Sequence, residues 1–275
     1  VLYRADRARE REEEAARQEL EVGPTEEDHD INVLPADGGD ARPLDTNKLR
    51  TLISEACNGL DKVDEEAVYD NSLHNLYDGV SECDVSQVLV MSARTLIDQE
   101  PNYSHVAARL LLDQMRREAL GFLSLEQTDT QAEMGERYGD YFKAYLNKAV
   151  ELELLDSRLG QYDLDRLIAA IKPERDLNFT YLGLQTLYDR YFIHDADKRV
   201  FELPQAFFLR VAMGLAINEI NREERTIEFY NLLSGFHFMS STPTLFNSGT
   251  LRPQLSSCSL TTVPDDLAGL YGAIQ

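Results

Sequence analysis

The sequence predicts a mainly α-helical protein, and two observations carry that expectation. Apolar residues recur at helical spacing through most of the 275 residues, as in Leu49, Leu52, Ile53 and Ala56 or in Tyr138, Tyr141, Phe142 and Tyr145. Strand-like runs, by contrast, are confined to short pieces. A hydrophobic content of 43% is that of a globular chain, and the length suffices for one to three domains with a sizeable core.

The elements follow in order. Residues 2–20 interleave Arg7, Arg9, Arg11 and Arg17 with Glu10, Glu12, Glu13, Glu14 and Glu19 and contain neither Gly nor Pro, which predicts a solvated helix with Glu13 and Arg17 as an i,i+4 pair. Residues 21–31 are polar, broken at Gly23-Pro24, and read as a linker. A unit over 32–122 follows: an apolar run ending at Leu34, a turn at Asp37–Asp40, then four amphipathic helices. The first centres on Leu49–Ala56; the others run over 64–77, 84–99 and 103–120, with Asp84 and Asn102 as N-caps. From Ser124 the pattern is again helical, with the Tyr138–Tyr145 aromatic stripe assigned to the core. A helix over 175–191 with Thr180 near its start leads into a hairpin-like Phe192–Phe201 turning at Asp195–Lys198. Pro204 fits the first position of the next helix, and Glu223–Gly235 forms another.

Charge and cysteine usage exclude several functions. The 49 acidic against 27 basic residues give a formal charge of −22, which opposes nucleic-acid binding, and no local basic face offsets it. No apolar run approaches a membrane span and Val1-Leu2-Tyr3-Arg4 lacks the order of a signal peptide, so a cytoplasmic protein is expected. Cys57, Cys83 and Cys258 are widely spaced and the five histidines scattered, so neither a disulfide framework nor a metal site is indicated. The chain opens at Val1 inside a helical pattern and stops at Gln275 where a helix has barely begun, which suggests a piece of a longer polypeptide.

Chemistry concentrates between Phe238 and Leu260, where a hydroxyl-rich loop punctuated by Pro243 and Gly249 runs into the lone thiol Cys258. Hydroxyls and unpaired backbone N–H groups hold phosphate oxygens. A cysteine supplies a proton and, by forming a disulfide, an electron pair. A bare Ser-Ser-Cys is more often a structural thiol beside an ordinary turn.

The longer pattern, with Thr242, Pro243, Ser248, Gly249 and Ser257 in register, resembles the entrance to the catalytic barrel of ribonucleotide reductase large subunits. The Leu187-Tyr188-Asp189-Arg190-Tyr191, Glu202-Leu203-Pro204-Gln205 and Phe229-Tyr230 elements resemble that family's all-helical N-terminal domain. Residues 32–122 are similar to an ATP-cone, a small nucleotide-sensing domain of four helices and a β cap. That likeness rests on Leu44-Asp45-Thr46-Asn47-Lys48-Leu49, Leu76-Tyr77-Asp78-Gly79-Val80 and Pro101-Asn102-Tyr103 leading into Ala107–Leu110. Residues 2–7 resemble the end helix of a preceding cone in a class I enzyme with tandem cones.

The resemblance implies an organisation and a chemistry. It places the end of a preceding cone at 1–20, a linker at 21–31, the cone at 32–122, the helical domain at 123–250 and the start of a 10-stranded α/β barrel, with its first strand near Cys258, at 251–275. It implies radical-based reduction of ribonucleoside diphosphates, with Cys258 as one of a redox cysteine pair and Thr242 and Ser257 as substrate contacts. Asp265 matches an effector position, although Asp265-Asp266 fits a helix N-cap equally well. Lys48 and Arg117 stand at the cone's basic positions. The cone's usual Val-x-Lys-Arg-Asp-Gly strand is here Val33-Leu34-Pro35-Ala36-Asp37-Gly38, lacking both cations, and Glu82 adds repulsion, so ATP and dATP are expected to bind weakly or not at all.

Implied partners are the substrate, a radical-generating small subunit that carries the metal, a second large subunit, and a thioredoxin or glutaredoxin system. No cofactor is expected on this chain. Two other classes compete with this reading: a non-catalytic regulatory or assembly module, and a glycyl-radical relative, which the Ser-Thr-Pro-Thr and Ser-Ser-Cys wording fits less well.

Overall fold

The computed structural model describes residues 31–35, 39–128, 130–258, 260, 262–263 and 265–272. The expectations for 1–20, for the linker as far as residue 30, and for Ala36, Asp37 and Gly38 lie outside the described residues.

The described residues open with a three-stranded sheet. Its centre, β1 (Asn32–Leu34), pairs antiparallel with β2 (Arg42–Pro43) and parallel with β3 (Val80–Ser81). Such short strands need an anchor, and Asp78 provides one. Its carboxylate accepts from the backbone N–H and the side-chain amide of Asn32 at 2.8 and 2.9 Å, which holds its pKa below the usual value. Gly79, at φ +83°, then turns the chain into β3 while its N–H donates to the Asn32 carbonyl.

Four helices pack beneath this cap: α1 (Thr46–Cys57), α2 (Glu65–Asn75), α3 (Glu82–Thr95) and α4 (Tyr103–Phe122). Each buries the face that its spacing predicts, as Leu49, Leu52, Ile53, Ala56 and Cys57 do on α1. Their starts follow local chemistry. Asp45 accepts from the Lys48 N–H, and Asp64 from that of Glu66. For α3 the cap is Ser81, two positions after Gly79, and not Asp84. The Ser81 hydroxyl accepts from the Asp84 N–H at 3.1 Å and donates to the Asp84 carboxylate at 2.7 Å, so Asp84 is the third helical residue and is the one capped. Asn102 stands at the N-cap of α4, yet its side chain donates to the Asp61 carbonyl instead of capping.

The second half is built around α8 (Pro204–Ala216), whose residues are nearly all buried, the pattern of a helix enclosed on every side. Pro204 is at its start, as expected. Around it lie α5 (Gln131–Glu151), the short α6 (Leu164–Ile168), α7 (Tyr181–Arg190) and α9 (Arg222–Ser234). The aromatic stripe of α5 is core: Tyr138, Tyr141, Phe142 and Tyr145 are at most 1% exposed. The buried hydroxyls are satisfied, that of Tyr141 donating to the Phe201 carbonyl while accepting from the Leu203 N–H.

Two expectations change in this half. The single helix over 175–191 is a 3₁₀ segment, Pro173–Asn178, followed by α7, because Phe179 and Thr180 are extended and Phe179 buries its ring. Residues 192–201 do form a hairpin-like turn, with a bridge between His194 and Val200 and the Asp195 side chain accepting from the N–H groups of Asp197 and Arg199. After α10 (Thr242–Asn247), the described residues around Cys258 form no strand, contrary to the expected first barrel strand. A strand needs a neighbour to accept and donate its backbone hydrogen bonds, and among the described residues none flanks this segment. A last short helix, α11, covers Leu267–Gly272.

Candidate active-site loop and effector cavity

The residues singled out in the sequence fall into two places. At one, α10 carries Thr242 at its first position after Ser241, and Pro243 supplies the fixed φ that suits a helix start. Thr242 is exposed, its hydroxyl 3.2 Å from the Tyr191 hydroxyl, and the Tyr191 ring stacks on Phe246 at 4.5 Å. The following segment folds back onto the helix: the Thr244 hydroxyl donates to the Leu255 carbonyl at 3.1 Å, and the Asn247 amide to that of Gln254 at 2.8 Å. Ser257 and Cys258 extend from this clamp and are exposed.

The base of the loop is locked into the helical domain from below. Arg210 on α8, 1% exposed, donates to the Ser248 carbonyl at 2.7 Å and to that of Leu245 at 3.3 Å. Its charge is balanced by the fully buried Glu202, which takes the Arg210 Nε–H at 2.7 Å and the Nη2–H at 3.2 Å. Glu202 also accepts from the Tyr145 hydroxyl at 2.5 Å and the Ile193 N–H at 2.9 Å. Burial pulls the Arg210 pKa down, but Glu202 and Tyr145 raise it further, leaving the guanidinium more firmly charged than usual. The Ser248 hydroxyl donates to the Val211 carbonyl at 2.7 Å. Backbones meet closely here, since a Cβ on Gly214 would lie 2.1 Å from the Gly249 nitrogen.

Sequence reasoning did not find Arg210 or the role of Glu202. Glu202 was visible only as part of Glu-x-Pro-Gln, and the signal for Arg210 was a single cation inside an otherwise apolar helix.

At the second place, a cavity of about 390 Å³ opens between the small sheet, α1 and α3, with Lys48 and Arg117 among its lining residues. Arg117 donates to Asp113 at 2.6 Å and to the Ser86 hydroxyl at 2.9 Å. Pro35 and Glu82 also line it, as does Arg42, a cation that the sequence reading had not counted. Its signal lay in the register: Arg42 sits opposite Val33 on the neighbouring strand. Asp265 is elsewhere, exposed just before α11; the capping role falls to Asp266, whose carboxylate accepts from the Gly269 N–H at 2.8 Å.

Among the described residues no cluster of three His, Cys, Asp or Glu side chains is placed to hold a metal, and no helix is long and apolar enough to cross a membrane.

Comparisons with known proteins bear on the family of the chain. Residues 177–253 match the sequence profile described as "Ribonucleotide reductase, all-alpha domain". The ribonucleoside-diphosphate reductase subunit alpha of Chlamydia muridarum is 41% identical over the whole of this chain, which covers 26% of that protein. That of Helicobacter pylori is 35% identical over 86% of this chain and 29% of its own length, and the large subunit of Danio rerio 31% over 89% and 30%. The chain thus spans only about a quarter to a third of the curated relatives it matches. With its helical domain, the loop anchored on it and the identity running through all 275 residues, the chain belongs to the ribonucleotide reductase large-subunit family and corresponds to the N-terminal region of such subunits.

Proposed function

We propose that this chain is the effector-sensing and substrate-entry part of a ribonucleoside-diphosphate reductase large subunit, which converts ribonucleotides to deoxyribonucleotides for DNA synthesis. The observation that carries the reading is the Ser241–Cys258 segment. Its hydroxyls and an exposed thiol stand on a base fixed by a buried ion pair, and it continues a domain whose profile matches that family.

In this reading Thr242 and Ser257 hold the substrate, fixing it by hydroxyl and backbone donors. Cys258 works with a second cysteine outside this sequence. The two thiols give up two electrons and two protons and become a disulfide; the ribose 2'-hydroxyl leaves as water, and a hydrogen takes its place on carbon. An external thiol system of the thioredoxin or glutaredoxin kind restores the pair. The initiating radical comes from a metal-containing small subunit, so this chain itself holds no cofactor, and a second large subunit completes the assembly in the cytoplasm.

Asp265 contacts the specificity effector. Residues 32–122 act as an ATP-cone with Lys48 and Arg117 in its cavity. Binding there is weak, because Pro35 and Ala36 stand where cations are usual and Glu82 adds like charge to a triphosphate, while Arg42 restores one cation.

The test uses the full-length large subunit carrying this region, with its small subunit and a thiol reductant. Cys258→Ser keeps the volume and a proton donor but removes the electron pair. Turnover falls to background while substrate binding stays, and Cys57→Ser changes neither. Normal multiple turnover by Cys258→Ser would overturn the reading.

A further inference from the structure

Among the contacts that join the loop to the helical domain is a buried charged side chain, Arg210, which sits among backbone carbonyls. Arg210 spans two partners at once: one edge of its guanidinium faces the Glu202 carboxylate, while Nη1 reaches the carbonyls of Leu245 and Ser248. Those carbonyls end α10, the helix that begins at Thr242. A helix leaves its last carbonyls without partners of its own, and a cation there is favourable in both hydrogen bonding and charge.

We propose that Arg210 is a positioning residue for catalysis: with Glu202 fixing its orientation, it sets the height and tilt of the Thr242–Gly249 turn against α8, and so the place at which the nucleotide diphosphate is held. The proposal rests on the assignment of that turn to the substrate. Three observations besides the ion pair support a rigid seat. The Ser248 hydroxyl is bonded to Val211 on the same helix, Gly214 leaves room for the Gly249 backbone to lie directly on it, and Gly249 takes φ +82° where a Cβ would lie 3.1 Å from the Arg210 carbonyl oxygen. Glu202 is held in turn by Tyr145 on α5 and the Ile193 N–H, so the seat is tied to two further elements. The turn therefore has little freedom to adjust to the substrate. Pre-organisation of this kind favours binding by removing the cost of ordering the loop.

The experiment again uses the full-length large subunit with its small subunit and reductant. Arg210→Lys keeps the charge, but an ammonium lacks the planar fork and cannot serve Glu202 and both carbonyls together. Ser248→Ala releases the same turn without touching a buried charge, and Thr242→Val is the reference for direct substrate contact. The measurements are KM and kcat for a ribonucleoside diphosphate, binding of a deoxynucleoside triphosphate effector, and Tm. KM should rise about tenfold in Arg210→Lys and less in Ser248→Ala, with kcat at saturation and effector binding retained.

A lowered Tm with unchanged KM in both variants would overturn the proposal, since the pair would then be structural only. If KM rises for Thr242→Val but for neither of the others, the substrate assignment stands and the positioning role falls. If no variant moves KM, the turn does not meet the substrate and both fall.

Discussion

Gly135 and Gly139 are one turn apart on α5, and helix propensity alone predicts the same outcome for both. Replacing a glycine inside a helix by alanine gains about 0.8–1 kcal/mol, because the unfolded chain loses freedom and the helix keeps its geometry. The surroundings separate the two. A Cβ on Gly135 would lie 3.9 Å from Pro173, an ordinary contact, whereas on Gly139 it would lie 2.7 Å from the Cγ2 of Ile168. That methyl is the branch of a β-branched side chain, stiff about χ1, so relief requires α6 to shift. Overpacking of this kind costs about 1–3 kcal/mol. Gly135→Ala should therefore stabilise the chain, and Gly139→Ala should leave it neutral to about 2 kcal/mol less stable. Urea denaturation of the chain, with slopes compared, measures both. Ile168→Ala removes the obstructing methyl, so its combination with Gly139→Ala should cost less than the sum of the single changes. Equal stabilisation by the two alanines, or strict additivity of the double variant, would refute the reasoning.

Two further outcomes are expected. Asp176 is fully buried beside Arg116, Gln205 and Tyr138, and burial pushes its carboxyl from 3.8 up to about 6. A raised native pKa means that the folded state holds the proton longer than the unfolded state, so this group adds stability as pH falls from about 6 towards 4, by up to about 3 kcal/mol. Relative to Asp176→Asn, wild type should gain over that window; a flat difference in denaturation midpoint would contradict it. The Cys57 thiol is buried and pushed up to about 11, whereas Cys83 and Cys258 are exposed. Native-state alkylation at pH 8, followed by mass spectrometry, should modify Cys83 and Cys258 and leave Cys57 until denaturant is added.

The helices were legible because their cores repeat at a period that the sequence displays, as Leu49 to Ala56 and Tyr138 to Tyr145 show. Ends were less so. Ser81 and Asp84 are both good caps, and only the position of β3 decides that Ser81 turns the chain while Asp84 enters the helix. The break at Phe179 depends on a ring finding space beside Phe208, 6.2 Å away, which no local pattern encodes. Thr242, Ser257 and Cys258 stood out as residue types in a loop, but their support did not. Glu202 and Arg210 sit on either side of a helix start, and the carbonyls that Arg210 holds are 35 and 38 positions further on, a separation that only the folded chain closes.

Helix α4 has a consequence of its own. Its one face completes the core with α1 and α3, and its other side meets α7 and the 3₁₀ segment before it: Ser104 accepts from the Tyr181 N–H, Glu118 from the Tyr188 hydroxyl, and Arg116 reaches Asp176 in the 3₁₀ segment. The buried apolar residues on either side form a single cluster. Opening either half alone would strip one flank of α4 and leave Arg116 or Asp176 facing an apolar gap. In a hydrogen-exchange experiment the amides of α4 and α7 should therefore share one slow class and exchange through a common opening. A displacement at the cavity beside α1 and α3 then meets a stiff lever, not a hinge, on its way to the helices that carry the loop.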